Sequence, residues 1–564
     1  MKSVSVLAAL GGLAAAQQYG NAPRPNNTAL PIVDLGYELQ QASGFNDTGR
    51  YYNFSNIRYA APPVGNLRFA EPAAPARNRG SVQTGQQNRI CPQAAGAWSA
   101  IAGQFIPRYL AGQTTFNASS FVTPPAGTIP AQDPATNEDC LFLDVFVPDT
   151  IFNQRKQRKK APVLVWIYGG GYTGGSKSGS GSPAGLLDRS RNNGQDGIIY
   201  VALNYRLGAF GWLSGPTFQE NGGVANAALY DQRFALQWVT KYIHLFGGDP
   251  DQVTVFGESA GGGSIMHQIT AFGGTKGKAP FQRAVPQSPG WAPITSPQVQ
   301  EDIFNEFLAN GNFSSLAEAR AAPFAQVQLA NLITVGGSSY GSFTFGPVVD
   351  GIFAPSLPGQ LLARGQFDRD VSILVGQNTN EGLLFTSPFI QTEQNLRDSL
   401  VVSQPQLAAF PDQIDFILND LYPPIFDGSQ AQGYRNQIAR SAAITAELAF
   451  ICNTFYLDKA YGNKTYSYLF AVPPALHGQD VPYSYYTGTG APTTSVIAPP
   501  VALALQEYIT SFAQDGDPNE PGVPFFDLYG PDASVKVLNI TGFSETRDPA
   551  ANRRCNYWQK ALYS

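Results

Sequence analysis

Charged side chains make up only 14% of the 564 residues, against ~25% in an ordinary soluble domain, and the net charge is −5. With that acidic balance the chain does not resemble a nucleic-acid binder, whose footprint is clustered Lys/Arg on a basic domain, so no nucleic-acid partner is expected. At ~150 residues per domain the length would hold three or four domains, yet no internal repeat, long charge run or low-complexity linker divides it, so one large domain over 17–564 is expected.

Lys2, the apolar run from Val4 to Leu13 and Ala14-Ala15-Ala16 have the layout of a secretory signal peptide (1–16) with an A-x-A cleavage site. The run falls short of the ~20 apolar residues that cross a bilayer, so a secreted, extracellular protein without stable membrane insertion is expected. Secretion gives meaning to the N-x-[ST] sequons at Asn26, Asn46, Asn53, Asn117, Asn312, Asn463 and Asn539, which are glycosylation candidates. Cys91, Cys140, Cys452 and Cys555 form an even set in an oxidising compartment. They allow three pairings, of which the sequential one, closing two independent loops, is expected.

Trp98, Ile101, Phe105, Tyr109 and Leu110 recur at helical spacing, predicting a helix with one apolar face. Residues 121–136 and 486–500, rich in Gly, Pro and Thr, read as loops. Val163–Ile167 and Ile198–Leu203 read as buried strands, Ala227–His244 as an amphipathic helix, Val371–Val375 and Tyr466–Ala471 as further strands. Residues 296–330 are mixed helical, an excursion from the sheet. Strands alternating with helices argue an α/β fold, a mostly parallel twisted sheet with helices on both faces.

The most informative run is Val253-Thr254-Val255-Phe256-Gly257-Glu258-Ser259-Ala260-Gly261, a short strand leading into G-x-S-x-G and then a helix to Ile269. A serine on such a sharp strand-to-helix turn projects its Oγ, and the flanking glycines let the backbone close there. A serine hydroxyl needs a base, and the chain has three histidines. His244 sits at a helix end and His267 two turns down the serine's own helix, both structural positions. His477, in the loop after strand 466–471, stands where α/β proteins place reactive groups. The acid that orients it should lie between the two, in the order Ser, acid, His. Glu381, following strand 371–375, is preferred over Asp350, read as supporting structure, and over Asp480, too near His477 in sequence.

The N–H of Ala260 and the glycines of Tyr168-Gly169-Gly170-Gly171 after strand 163–167 are candidate oxyanion donors. The glycine run lacks the G-K-[ST] of a phosphate cradle, and no H-E-x-x-H or C-x-x-C pair suggests a metal, so no cofactor is expected.

On these residues the chain resembles the type-B carboxylesterase/lipase family of α/β-hydrolases, secreted fungal lipases and esterases in particular. Arg58-Tyr59-Ala60-Ala61-Pro62-Pro63-Val64-Gly65, Glu138-Asp139-Cys140-Leu141-Phe142-Leu143-Asp144-Val145 and Phe246 to Gly261 carry the likeness, with Asn204-Tyr205-Arg206 and Asp231 to Leu236. The resemblance implies Ser259 as nucleophile, Glu381 as acid, His477 as base, and Gly170, Gly171 and Ala260 as oxyanion donors. It also implies a Cys91–Cys140 disulfide closing a lid-like loop, which leaves Cys452 with Cys555. Tyr168 departs from the His that many esterases carry before the glycines.

The implied function is ester hydrolysis through an acyl-enzyme on a small-molecule or lipid ester. A mobile lid would favour glycerides or sterol esters with transient contact at a lipid interface; a fixed one favours smaller esters. The alternative from another class is a catalytically inactive, cholinesterase-like binding or adhesion module.

Overall fold

Strands buried on both faces need no polar alternation, and Val163–Ile167 and Ile199–Leu203 are buried at every position. The computed structural model describes residues 30–123, 129–157, 159–488 and 495–562; the signal-peptide segment and Asn26 lie outside them. Among the described residues the strands are β1 (Ile32–Asp34), β2 (Glu38–Gln41), β3 (Gly44–Asn46), β4 (Tyr51–Arg58), β5 (Asn78–Gln83), β6 (Phe142–Pro148), β7 (Ala161–Ile167), β8 (Ile199–Leu203), β9 (Gly248–Glu258), β10 (Arg283–Gln287), β11 (Ser372–Asn378), β12 (Tyr466–Phe470), β13 (Ser534–Asn539) and β14 (Gly542–Arg547).

Eleven of them form one sheet in the order β14-β13-β12-β11-β10-β9-β7-β8-β6-β4-β3. The stretch from β13 to β8 is parallel throughout, and both edges turn antiparallel. This is the expected α/β-hydrolase architecture. The chain leaves β7 toward β8 on one side and returns to lay β9 on the other. The gap beyond the carboxyl ends of β7 and β9 is therefore a topological switch point, where open α/β sheets bind ligands.

Two strand readings needed revision. The sequence suggested Val253–Phe256, but β9 begins at Gly248, because an irregularity between Ala161 and Val163 lets the pairing with β7 continue to Ala161–Gly248. A second sheet, β1-β2-β5, was not foreseen; β5 is mostly exposed and polar and carries no period to read.

The helix predicted after Cys91 spans Trp98–Leu110; of its predicted stripe Trp98 and Phe105 are buried beside Ala102 and Ile106, Ile101 and Tyr109 pack on the same face partly buried, and Leu110 is 41% exposed. That face packs on Leu383, Ile438, Ala442, Leu476 and Phe385. Disulfides join Cys91 to Cys140, bracketing this helix in sequence, and Cys452 to Cys555. The excursion resolves into helices Pro297–Gly311, Leu316–Ala321 and Phe324–Gly336, the first two capped by the Ser296 and Ser315 hydroxyls. No described helix is long and apolar enough to cross a membrane.

Candidate active site

Register brings the ends of neighbouring strands together: Ile167 pairs with Gly257, Glu258 with Gln287, Gln287 with Gly376, and Asn378 with Phe470. The loops leaving β7, β9, β10, β11 and β12 therefore share one rim, and they carry Gly169–Gly171, Ser259, Ser288, Glu381 and His477.

Ser259 turns the chain at φ 58°, ψ −121° between β9 and the helix Ala260–Ile269. A non-glycine residue held at positive φ is strained and must be fixed by its surroundings. Here the Ser259 N–H donates to the Gln287 carbonyl at 3.0 Å, and its own carbonyl accepts from Gly290 N–H at 3.0 Å and Gly263 N–H at 2.8 Å. The flanking glycines are required by close approach: a Cβ on Gly257 or Gly261 would lie 2.4 or 2.0 Å from the Ile167 carbonyl oxygen. A Cβ on Gly169 would lie 2.9 Å from that of Ser259, so the glycine loop lies directly against the serine. Gly170 and Gly171 have φ of 110° and 63°, and among the described residues neither N–H donates to a protein acceptor. The Ala260 N–H opens a helix, where it lacks an intrahelical partner.

His477 Nδ1 lies 2.5 Å from Glu381 Oε2. Glu381 is wholly buried, and its other oxygen accepts from Ser288 Oγ at 2.7 Å and Asn378 N–H at 2.5 Å. Both carboxylate oxygens are thus bonded, as a buried charge requires. Asp480 sits one layer behind, also buried, accepting from Tyr468 Oη at 2.6 Å and Asn378 Nδ2 at 3.2 Å. Asp350 is elsewhere: it accepts from Asn226 Nδ2 and from the N–H groups of Ile352 and Ala354, shaping a turn.

Glu258, the residue before the serine, was not singled out from the sequence. Its Oε1 lies 3.2 Å from His477 Nε2, without the alignment of a hydrogen bond, and neither atom has another partner among the described residues. Burial pushes the Glu258 carboxyl up, and Asp480 and Glu381 add to this. Burial works against the His477 imidazolium, but Glu258, Glu381 and the Nδ1 hydrogen bond outweigh it and raise His477 above its ordinary range. Each ring nitrogen thus faces a carboxylate.

Three phenylalanines from separate segments line the same place. Phe385 and Phe450 stand 5.1 and 4.2 Å, centroid to centroid, from the His477 ring; Phe343 contacts Phe385 at 6.1 Å. His267 is buried at 5.0 Å from Trp291 and bonded to the Gly263 carbonyl. Burial lowers it to about 4. His244 is exposed within the short helix Ile243–Phe246. Glu447, Cys452 and Cys555 lie close enough to suggest an ion, but the two sulfurs are bonded to each other. Among the sequons, Asn117 and Asn312 are exposed, while Asn46, Asn53, Asn463 and Asn539 are half-buried.

A mostly parallel sheet whose strand β9 turns sharply at Ser259 into a helix, with the loops of its neighbours on the same rim, places the protein among the α/β-hydrolases. The family model described as the carboxylesterase family matches residues 40–558, and the chain belongs to that family. It is 43% identical over 549 residues to Carboxylesterase patB of Aspergillus clavatus, covering 95% of this chain and 96% of that one. A Secreted lipase of Arthroderma benhamiae is 32% identical, over 76% of this chain and 84% of its own. The crystal structure of Aspergillus niger EstA matches with a TM-score of 0.76 at 25% identity, covering 94% of this chain and 98% of that one. The protein is a carboxylic ester hydrolase.

Proposed function

We propose that the chain is one secreted catalytic domain in which Ser259, Glu381 and His477 hydrolyse small carboxylic esters through an acyl-enzyme. His477 takes the Ser259 proton as Oγ adds to the ester carbonyl. The oxyanion is held by the N–H groups of Gly170, Gly171 and Ala260, each such donor being worth roughly 3–4 kcal/mol. His477 then protonates the departing alcohol, and a water deprotonated by the same ring releases the acid. Glu381 fixes the ring and balances its charge.

The observation that carries this reading is the 2.5 Å contact between His477 and a wholly buried Glu381, on the rim where Ser259 is held in a strained turn. The signal-like segment and the likeness to a secreted lipase support export, and exposed Asn117 and Asn312 are the sequons best placed to carry glycans. The buried face of helix Trp98–Leu110 favours a fixed cover, hence small soluble esters over glycerides or sterol esters. Nothing favours the inactive adhesion module.

Ser259→Ala should lower p-nitrophenyl acetate turnover on the order of 10⁴-fold or more with the circular dichroism spectrum intact. A phosphonate ester should label Ser259, seen by peptide mass spectrometry. Full turnover in Ser259→Ala overturns the proposal.

A further inference from the structure

We infer that the Tyr172 hydroxyl is a positioning group that registers the oxyanion loop against the Ser259 turn, and so sets how well the N–H groups of Gly170 and Gly171 meet the charge that develops on the substrate. The inference rests on the Ser259 and oxyanion reading above.

Three consecutive glycines cannot hold themselves in place. Gly169, Gly170 and Gly171 have no side chain to pack, and glycine loses more conformational freedom on ordering than any other residue. Donors stabilise a developing charge best when they are fixed before it appears, so the loop needs an anchor outside itself. Among the described residues, one hydrogen bond joins segment 169–172 to the Ser259 turn or to the loop after β10. In it, Tyr172 Oη donates to the Gly290 carbonyl at 2.7 Å. The tyrosine is 3% exposed, and burial keeps its hydroxyl protonated and able to donate. Its backbone is fixed too: φ is 64°, its carbonyl accepts from Gly208 N–H at 2.9 Å, and the ring packs on Trp212 at 4.8 Å.

The acceptor of that bond also holds the nucleophile. Gly290 N–H donates to the Ser259 carbonyl at 3.0 Å, and Gly263 N–H donates to the same oxygen at 2.8 Å. Gly263 lies in the first turn of the helix Ala260–Ile269, against the tyrosine's bond. A Cβ there would lie 2.5 Å from Tyr172 Oη and 2.4 Å from the Gly290 oxygen. The oxyanion loop, the serine's helix and the loop after β10 thus meet at one hydroxyl. The two glycines that brace the strained serine are the two that seat the tyrosine. Deleting the oxygen leaves Ser259, Glu381 and His477 untouched and frees the glycine loop to drift from them. A misplacement of about 1 Å costs up to about 10²-fold in rate.

The test compares Tyr172→Phe with the wild type on p-nitrophenyl acetate. kcat and kcat/KM should fall together by about 10- to 100-fold, with KM unchanged, as for an interaction made only in the transition state. A trifluoromethyl ketone reports the oxyanion directly: its carbonyl carbon bonds Ser259 Oγ, His477 takes the proton, and the carbonyl oxygen becomes the anion. Its affinity should fall by a similar factor, while that of the unreactive methyl ketone of the same chain should change by less than about twofold. The ascending limb of the pH profile should stay in place. Tyr172→Met is the second variant should phenylalanine fail to fold. An unchanged kcat with a lowered melting temperature assigns the hydroxyl to the fold alone and overturns the inference; a moved pH limb, or equal weakening of both ketones, also overturns it. If Ser259→Ala abolishes turnover and the trifluoromethyl ketone outbinds the methyl ketone in the wild type, such a result sinks only this inference. If either of those conditions fails, the underlying reading fails with it.

Discussion

Replacing Glu258 by glutamine tests the electrostatics around His477 most directly. Unit charges 3.2 Å apart attract by roughly 5 kcal/mol at an effective dielectric near 20. Burial opposes ionisation of both partners, so their titrations are coupled. If a quarter of the attraction survives, His477 gains about one unit at 1.36 kcal/mol per unit. The base must be neutral to accept the serine proton, so wild-type kcat/KM should rise with pH through an apparent pKa above histidine's ordinary ~6.5. Removing the Glu258 charge lowers the imidazolium pKa. The ascending limb of Glu258→Gln should therefore move to lower pH by about one unit. The assay is a pH profile of kcat/KM on p-nitrophenyl acetate for both proteins, with stability checked at each pH. An ascending limb that stays in place, or moves upward, refutes this account.

Glu381→Gln should keep the fold and lose roughly 10⁴-fold in kcat, because a carboxamide no longer balances the imidazolium or fixes its tautomer; kcat with a thermal melt on the same sample decides it. Gly261→Ala should fail to reach the native fold or lose several kcal/mol, since its Cβ would lie 2.0 Å from a backbone oxygen with no room to yield; urea melts measure the loss. Separating Cys452 from Cys555 by a paired serine substitution opens a closure spanning 103 positions, and should cost about 2–5 kcal/mol of stability in a thermal or denaturant melt.

Much of this was legible because few residues could do each job. With three histidines, two of them inside or at the end of helices, the base was nearly decided, and the acid had to follow a strand between serine and histidine. Several of the central parallel strands announced themselves through short apolar runs. Glu258 lies inside the serine motif itself, yet its spacing says nothing of an imidazole delivered from β12, more than two hundred positions on. The aromatic wall of Phe343, Phe385 and Phe450 was invisible for the same reason, being assembled from three segments with no shared period. The covering helix was found with most of its apolar face; Leu110 alone of the predicted stripe stands in solvent.

The second disulfide has a practical side. Cys555 lies in the last described helix, Arg553–Lys560, and Cys452 heads the helix Cys452–Ala460, which feeds β12 and so delivers the imidazole. The tail of the polypeptide is in this way stitched to the support beneath the proton carrier. Shortening that terminus would loosen a mooring of the reaction centre rather than remove a dispensable appendage.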